Sequence, residues 1–342
     1  MRITSLLFLL LFISISSYGQ RNDSLRNIYV ERFPDHFFIW PVLKQRSTSF
    51  EVEQKHNRSN NLIFKPNNSY GAGFGLYLFE IGAEVTFSVP IQEYKNELYG
   101  ETKATDFQLN LLSKHWGADV FYQRYSGFYV SDPNRSIPRN TPFPQRPDMV
   151  TDNVGVNGIY MFNRNKFSLR SAYNFAERQK KSAGSFLLTG TFNSFHLKAD
   201  SAIYGKDYEA EFGSDAAVSD FQSLTFSIAP GYTYTVVIKK FFINASFSVG
   251  PAVRTLDYIV KDERQVSTGV DGFTDYRGSI GYNGDRFFGG ISFISQKRGV
   301  TFDEAKLTSV SSTFKFLIGY RFREFGILKA RAVDIIPFVK KK

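Results

Sequence analysis

Between Leu224 and Val253 apolar and small or polar residues alternate with a period of two on both arms of one hairpin. On the first arm Leu224, Phe226, Ile228, Pro230, Tyr232, Tyr234 and Val236 interleave with Thr225, Ser227, Ala229, Gly231, Thr233 and Thr235. On the second, Phe241, Ile243, Ala245, Phe247, Val249, Pro251 and Val253 interleave with Phe242, Asn244, Ser246, Ser248, Gly250 and Ala252. Successive side chains of a strand point to opposite faces, so each arm has one greasy face. With the turn at Lys239-Lys240, even positions on one arm lie beside odd positions on the other, and both apolar rows share a face. Each arm exceeds the roughly 9 to 11 residues that a tilted strand needs to cross a bilayer. The hairpin therefore reads as barrel wall with hydrocarbon outside.

Similar stretches recur along the chain. Phe37 to Glu53 predicts a first strand interrupted by Pro41, and Ile63 to Tyr77 and Glu80 to Val89 predict the next two. Phe107, Leu109 and Leu111 lead into a tight turn at Ser113 to Trp116, from which Ala118, Val120 and Tyr122 return. Trp116 stands where an interfacial ring belongs. Val154, Val156, Gly158, Tyr160 and Phe162 precede a turn at Asn163 to Lys166. The return arm then puts Phe167, Leu169, Ser171, Tyr173 and Phe175 outward and Ser168, Arg170, Ala172 and Asn174 inward. Phe186, Leu188, Gly190 and Phe192 hold one phase, while Phe195 and Leu197 hold the other. A slip of one residue turns the wrong face to lipid, so Asn193-Ser194 reads as a bulge or a turn. An even number of crossings between the outer loops starting at Ser131 and Ser201 favours the turn, with the second half running on to Tyr204. Tyr276, Gly278, Ile280 and Tyr282 and then Phe287, Gly289, Ile291 and Phe293 flank Asn283-Gly284-Asp285. Ser312, Phe314, Phe316, Ile318, Tyr320 and Phe322 close the series, with Thr313, Lys315, Leu317, Gly319 and Arg321 inward. Between these strands lie polar loops at Gln92 to Thr105, Ser131 to Met149 with its five prolines, Ser201 to Ser219, Lys261 to Ser267 and Gln296 to Lys306. The expected fold is all-β, a transmembrane antiparallel up-and-down barrel of about 14 strands with about 12 the nearest alternative, because an even number returns both ends to the periplasm.

Residues 1–19 carry Arg2, an apolar run from Leu6 to Ile13 and small residues at Ser17 and Gly19, the pattern of a secretory signal peptide too short to span a bilayer. Residues 20–35 read as a periplasmic lead-in, 36–322 as the barrel, and 323–342 as a periplasmic tail that suits a short amphipathic helix or a last strand ending at Phe338. No later run approaches the roughly 18 apolar residues of a membrane helix. The sequence holds no cysteine, so disulfides, thiolate chemistry and a lipidated cysteine are excluded. The 36 phenylalanines and 19 tyrosines fit the lipid face and interfacial girdles of a barrel. The net charge of +10 turns the reading toward anionic lipid head groups or small anionic solutes. An exported chain without a basic block in its body gives no ground for nucleic acid.

Candidate chemistry is sparse. Of the four histidines, His36, His56 and His115 fall in the lead-in or in turns, and His196, near Ser194 and Asp200, is the only catalytic candidate. No metal-ligand spacing or cofactor motif is present, and no enzyme is expected. Asp207, Glu209 and Glu211 alternate in a loop as solvated acids. Gly71-Ala72-Gly73-Phe74-Gly75 lacks the helix that a nucleotide loop requires and reads as a strand where chains pack closely. Arg170, Arg254, Arg277, Lys315 and Arg321 fall on inward rows. They either line a pore that attracts anions or pair with inward acids such as Asp119.

Four further stretches carry a family resemblance: Pro66-Asn67, the run Gln179-Lys180-Lys181-Ser182-Ala183-Gly184-Ser185, Gly231-Tyr232-Thr233-Tyr234, and Gly319-Tyr320-Arg321-Phe322. The chain resembles a family of uncharacterised outer-membrane barrels, domain of unknown function 4421, over nearly all its mature length. That resemblance implies the outer membrane and assigns no catalytic residues. The expected function is a passive channel or small-solute transporter. Its rivals are a structural or docking barrel with a filled lumen and, more weakly, a lipid-modifying enzyme at His196.

Overall fold

A computed structural model describes residues 23–325 apart from 55–56, 58, 79–80, 206–207, 213–216, 261–262 and 303–304. The elements in chain order are α1 (Asp23–Tyr29), β1 (Val30–Arg32), β2 (His36–Gln54), β3 (Asn61–Lys65), β4 (Gly71–Leu78), β5 (Ile81–Ser88), α2 (Glu93–Tyr99), β6 (Lys103–Leu112), β7 (Trp116–Ser131) and β8 (Gln145–Met161). There follow α3 (Arg170–Tyr173), β9 (Glu177–Gln179), β10 (Ala183–Lys198), α4 (Glu209–Phe212), β11 (Val218–Ile238), β12 (Phe241–Val260), β13 (Glu263–Asn283), β14 (Phe287–Thr301) and β15 (Ala305–Arg323). The hairpin from Leu224 to Val253 turns at Lys239-Lys240, with Val236 opposite Ile243, Tyr232 opposite Phe247 and Phe226 opposite Val253. Its aromatic rings other than Phe242 lie on the outer surface and its hydroxyls inside.

All large-sheet pairings are antiparallel, and ten strands close a ring in the order β15, β14, β13, β12, β11, β10, β8, β7, β3, β2, sealed by pairing of β15 with β2. Both ends of the ring, His36 and Arg323, are register partners at one rim, and the return of both chain ends to it marks that rim as periplasmic. The three strands outside the ring, β4, β5 and β6, sit in the periplasmic half. There β4 replaces β3 as the neighbour of β2, from Gly71 opposite Lys44 to Tyr77 opposite Phe38. Above it β3 bridges directly from β2 to β7 through Ile63, Phe64 and Lys65. Gly75 is required on β4, because a Cβ there would stand 1.9 Å from the Trp40 ring.

The strand count differs from the expected 14 for three reasons. The arm Phe167 to Phe175 is not wall at all, since it turns inward and carries α3. The stretch Phe186 to Leu197 is one strand, in unbroken register with β8 and β11 through Asn193 and Ser194. The stretch Ile63 to Tyr77 divides into β3 and β4. One strand removed, two merged and one divided give the thirteen strands of the large sheet. Strands also replace most of the loops expected at Lys261 to Ser267 and Gln296 to Lys306, because β13 and β14 run well beyond the bilayer. The signal peptide and the tail fall outside the described residues, except for 323–325.

The phase change at Asn193 marks a change of surroundings. Phe192 is 52% exposed on the outer face, while Phe195 and Leu197 are 4% and 0% exposed on the inner one. The same inversion occurs on other strands at a similar height. Ile39 and Leu43 point out and Phe50 and Val52 in on β2; Ile228 and Phe226 point out and Phe221 in on β11; Val253 points out and Leu256 in on β12. Below this level an apolar belt faces hydrocarbon, and the polar rows face the lumen. Above it the barrel stands in water, so the apolar rows turn inside, where they pack with Tyr204, Tyr208 and Phe212 from the loop after β10.

Candidate functional site: the bridged lumen and the helix α2 pocket

At the periplasmic end the inner wall is apolar, with Phe38, Trp40, Val42, Phe242, Phe288 and Leu317 in one cluster with Phe33 and with Phe167, Leu169, Tyr173 and Phe175 of the inward segment. The Phe175 ring lies 5.1 Å from Phe288 and 5.8 Å from Phe242. These wall residues give the rings of 167–175 a dry site inside the barrel, and the segment plugs the lumen. Buried polar groups fix the plug. Arg26 of α1 donates to Glu177 at 2.5 Å, Ser168 donates to Glu177 at 2.6 Å, and β1 pairs with β9. Arg321 donates to the Phe175 carbonyl at 2.8 Å and to Asn283 Oδ1 at 2.7 Å, with its guanidinium 3.9 Å from the Phe33 ring centre. At the outer surface of the plug Asp285 accepts from Lys240 and Arg178, each at 2.6 Å, and these bonds lower its carboxyl to about 2.

Above the plug, side chains from opposite walls meet. Arg277 on β13 donates to Asp275 at 3.0 Å and to Asp119 of β7 at 3.3 Å. Strands β13 and β7 lie five places apart in the ring of ten, so this pair spans the diameter. Asn157 of β8 makes a second diametric bridge, donating to Gln296 of β14 at 3.3 Å and accepting from Arg298 at 3.2 Å. Gln123 accepts from Asn153 at 2.9 Å and from Ser311 at 3.3 Å, tying three strands together. Buried charges are tolerable only when their partners offset the loss of water: Arg277 has its two carboxylates, and Arg298 bonds the amide oxygens of Asn157 and Gln296 and lies 5.0 Å over the Phe273 ring.

The five basic residues expected on the lumen rows are all inside, and each is engaged. Arg170 lies on the plug and not on a strand, and donates to the Tyr77 hydroxyl at 2.6 Å. Arg254 pairs with Asp271, Arg277 with Asp275 and Asp119, and Lys315 with Glu84 at 3.2 Å. Arg321 holds the plug. The structure does not bring the five together into one row. Asp275, Gln296 and Arg298, none of them expected on an inward row, complete the central network. Period-two continuation of β13 and β14 was the available signal, but Gln296 and Arg298 stood in an expected loop.

His196 lies on the outer face just above the belt and bonds Asp220 at 2.8 Å. Neither Ser194 nor Asp200 is among its partners in the described residues. His115 sits in the β6 to β7 turn beside Arg164 at 2.8 Å, and burial followed by that guanidinium lowers its imidazole below the ordinary range. Of the acids expected in a solvated loop, Glu211 pairs with Arg135 at 2.6 Å, and Asp207 falls outside the described residues.

The second site lies where the ring changes partners. Among the described residues no backbone pairing joins β5 to β6, so each keeps one edge free at the level of the apolar belt. Val85 and Phe87 of β5 and Phe107 and Leu109 of β6 point to lipid. Thr86 and Asn110 on the inward face are exposed as well. Above this seam the Asn67 amide donates to the carbonyl of Gly100 at 2.8 Å and to Asn96 Oδ1 at 3.1 Å, holding the end of α2 against the wall. Gly100, at φ 75°, ends the helix in a conformation few other residues adopt. Tyr99 packs between Tyr129 and Phe143 at 4.9 and 5.2 Å. Between α2 and residues 66–70 lies a cavity of about 500 Å³.

A closed antiparallel barrel with an apolar outer belt and a polar middle defines the class: this is an outer-membrane β-barrel. Comparison with solved structures finds outer-membrane barrels at low similarity. The outer-membrane protease OmpT from Escherichia coli has 9% identity and a TM-score of 0.40, covering 84% of this chain and 97% of its own. The translocator domain of the autotransporter NalP from Neisseria meningitidis has 7% identity and a TM-score of 0.34, covering 90% and 96%. OmpT of Vibrio cholerae has 10% identity and a TM-score of 0.28, covering 84% and 98%. No curated protein matches the chain in sequence. The chain belongs to the domain of unknown function family DUF4421, whose model matches residues 21–322.

Proposed function

We propose that this protein is an outer-membrane barrel closed along its axis, a structural or docking barrel that presents its outer loops rather than a standing diffusion channel. The observation that carries the reading is the pair of diametric bridges, Arg277 to Asp119 and Asn157 to Gln296 and Arg298. The plug below and the apolar cluster above add two further seals. Each inward basic residue has a partner, which favours bracing of the wall over attraction of anionic solutes. Outer-membrane lipids surround the belt, and the loops after β7 and β10 offer Arg135, Glu211 and their neighbours to partners outside. The test is conductance of the mature full chain in planar bilayers, with heat-modifiable gel mobility to show that the inserted protein is folded. No ion-permeable steps are expected. Sustained steps at low voltage from the folded protein would overturn the reading.

A further inference from the structure

The cavity beneath α2 has features that the filled lumen does not use. It lies on the outer surface at the upper edge of the apolar belt. Leu43 is the last outward apolar residue of β2 below it, and Gln45, on its wall, is the first polar one. Its lower lip is the end of β5, where the Val89 amide donates to the Tyr70 carbonyl at 2.7 Å and Phe87 and Val89 are exposed to lipid. Its upper part carries the Gln92 amide and one charge, Lys95. No carboxylate pairs with Lys95 among the described residues. The volume is within the range of about 300–1,000 Å³ typical of ligand sites. One cation and one amide donor above an apolar lip, at the height where head groups meet acyl chains, is the chemistry of an anionic lipid lying chain-down.

We propose that this cavity is a specific site for a phosphate-bearing lipid of the outer leaflet, with the phosphate on Lys95 and Gln92 and the chain descending over Val89 and Phe87 toward the β5 to β6 seam. The fold places the site by inserting β5, α2 and β6 below β3, and Asn67 holds the roof. Lys95 lies on an exposed helix, so its replacement leaves the barrel intact.

The test titrates the detergent-solubilised full chain with short-chain phosphatidic acid and reads bound copies by native mass spectrometry. The unmodified protein should retain one copy preferentially. Lys95→Ala should weaken that binding about tenfold, the effect of losing one charge-assisted hydrogen bond. Ser69→Trp, which fills the cavity and leaves Lys95 in place, should weaken it as much. Lys297→Ala, an exposed lysine just above the belt on β14, should change nothing. Diacylglycerol of the same chain length and inorganic phosphate alone should each bind at least about tenfold more weakly. Equal affinity in the protein and Lys95→Ala, equal loss in Lys297→Ala, or inorganic phosphate binding as tightly as the lipid would overturn the proposal.

Discussion

The membrane half and the outer half of this barrel are built from the same strands with opposite polarity. On β10, Phe186, Leu188 and Phe192 face lipid while Thr189 and Thr191 face in; a few residues further on, Phe195 and Leu197 face in. The backbone register does not change between them. What changes is the medium. Hydrocarbon accepts apolar side chains and rejects unpaired polar ones, whereas water reverses both preferences. One continuous wall therefore has a polar interior across the middle of the membrane, above the apolar seat of the plug, and a soluble-type apolar core where it stands clear.

The largest expected effect tests the polar interior of the lower half. Arg277→Ala leaves Asp275 and Asp119 buried beside each other, and should cost about 3–5 kcal/mol in urea unfolding from liposomes. Adding Asp119→Asn should recover part of that loss. In the outer half Leu197→Ala removes a fully buried side chain and should cost about 2–5 kcal/mol. A cost near zero would mean that the outer interior is wet and the comparison fails. On the lipid face Val156→Arg should cost about 2–4 kcal/mol, whereas Gln222→Arg, outward but above the belt, should stay within about 0.5 kcal/mol. If the two behave alike, the boundary of the belt is misplaced.

The smallest effect concerns the plug. Lys240, then Arg178, hold the Asp285 carboxyl at about 2, below its ordinary 3.8. Because the folded value is the lower one, this contribution is present above pH 3.8 and fades as pH falls through about 2. Asp285 is largely exposed, so solvent screening limits the tie to about 0.2–1 kcal/mol. Asp285→Asn should remove that increment at neutral pH and flatten the loss of stability between the two values, as read by unfolding of the plug.

The lipid-facing rows were legible because a period of two survives wherever one face is buried and the other is not. The central hairpin, including its turn at Lys239-Lys240, follows from the order of residues, as do the outward rows of β7, β8, β13, β14 and β15. The inward positions of Arg254, Arg277, Lys315 and Arg321 follow in the same way. Two local patterns misled. Phe167 to Phe175 alternates like a strand, yet its rings are as well satisfied inside a plug as against lipid. Phe195 and Leu197 break phase with Phe192, and alternation alone cannot tell a turn from a change of solvent. Pairing of the inward basic residues with acids such as Asp119 was legible only as an alternative to an open pore, because Asp119 and Arg277 are separated by many strands and only ring closure makes them neighbours.

The order of residues by itself determined that this chain forms antiparallel strands with a greasy outer face, because side-chain alternation is a property of each strand alone. Only the tertiary structure decided that the lumen is bridged, that residues 167–179 fold inward and that α2 roofs a pocket. Those outcomes depend on which strands become diametric partners when the sheet closes, and closure is set by the whole ring of strands acting together.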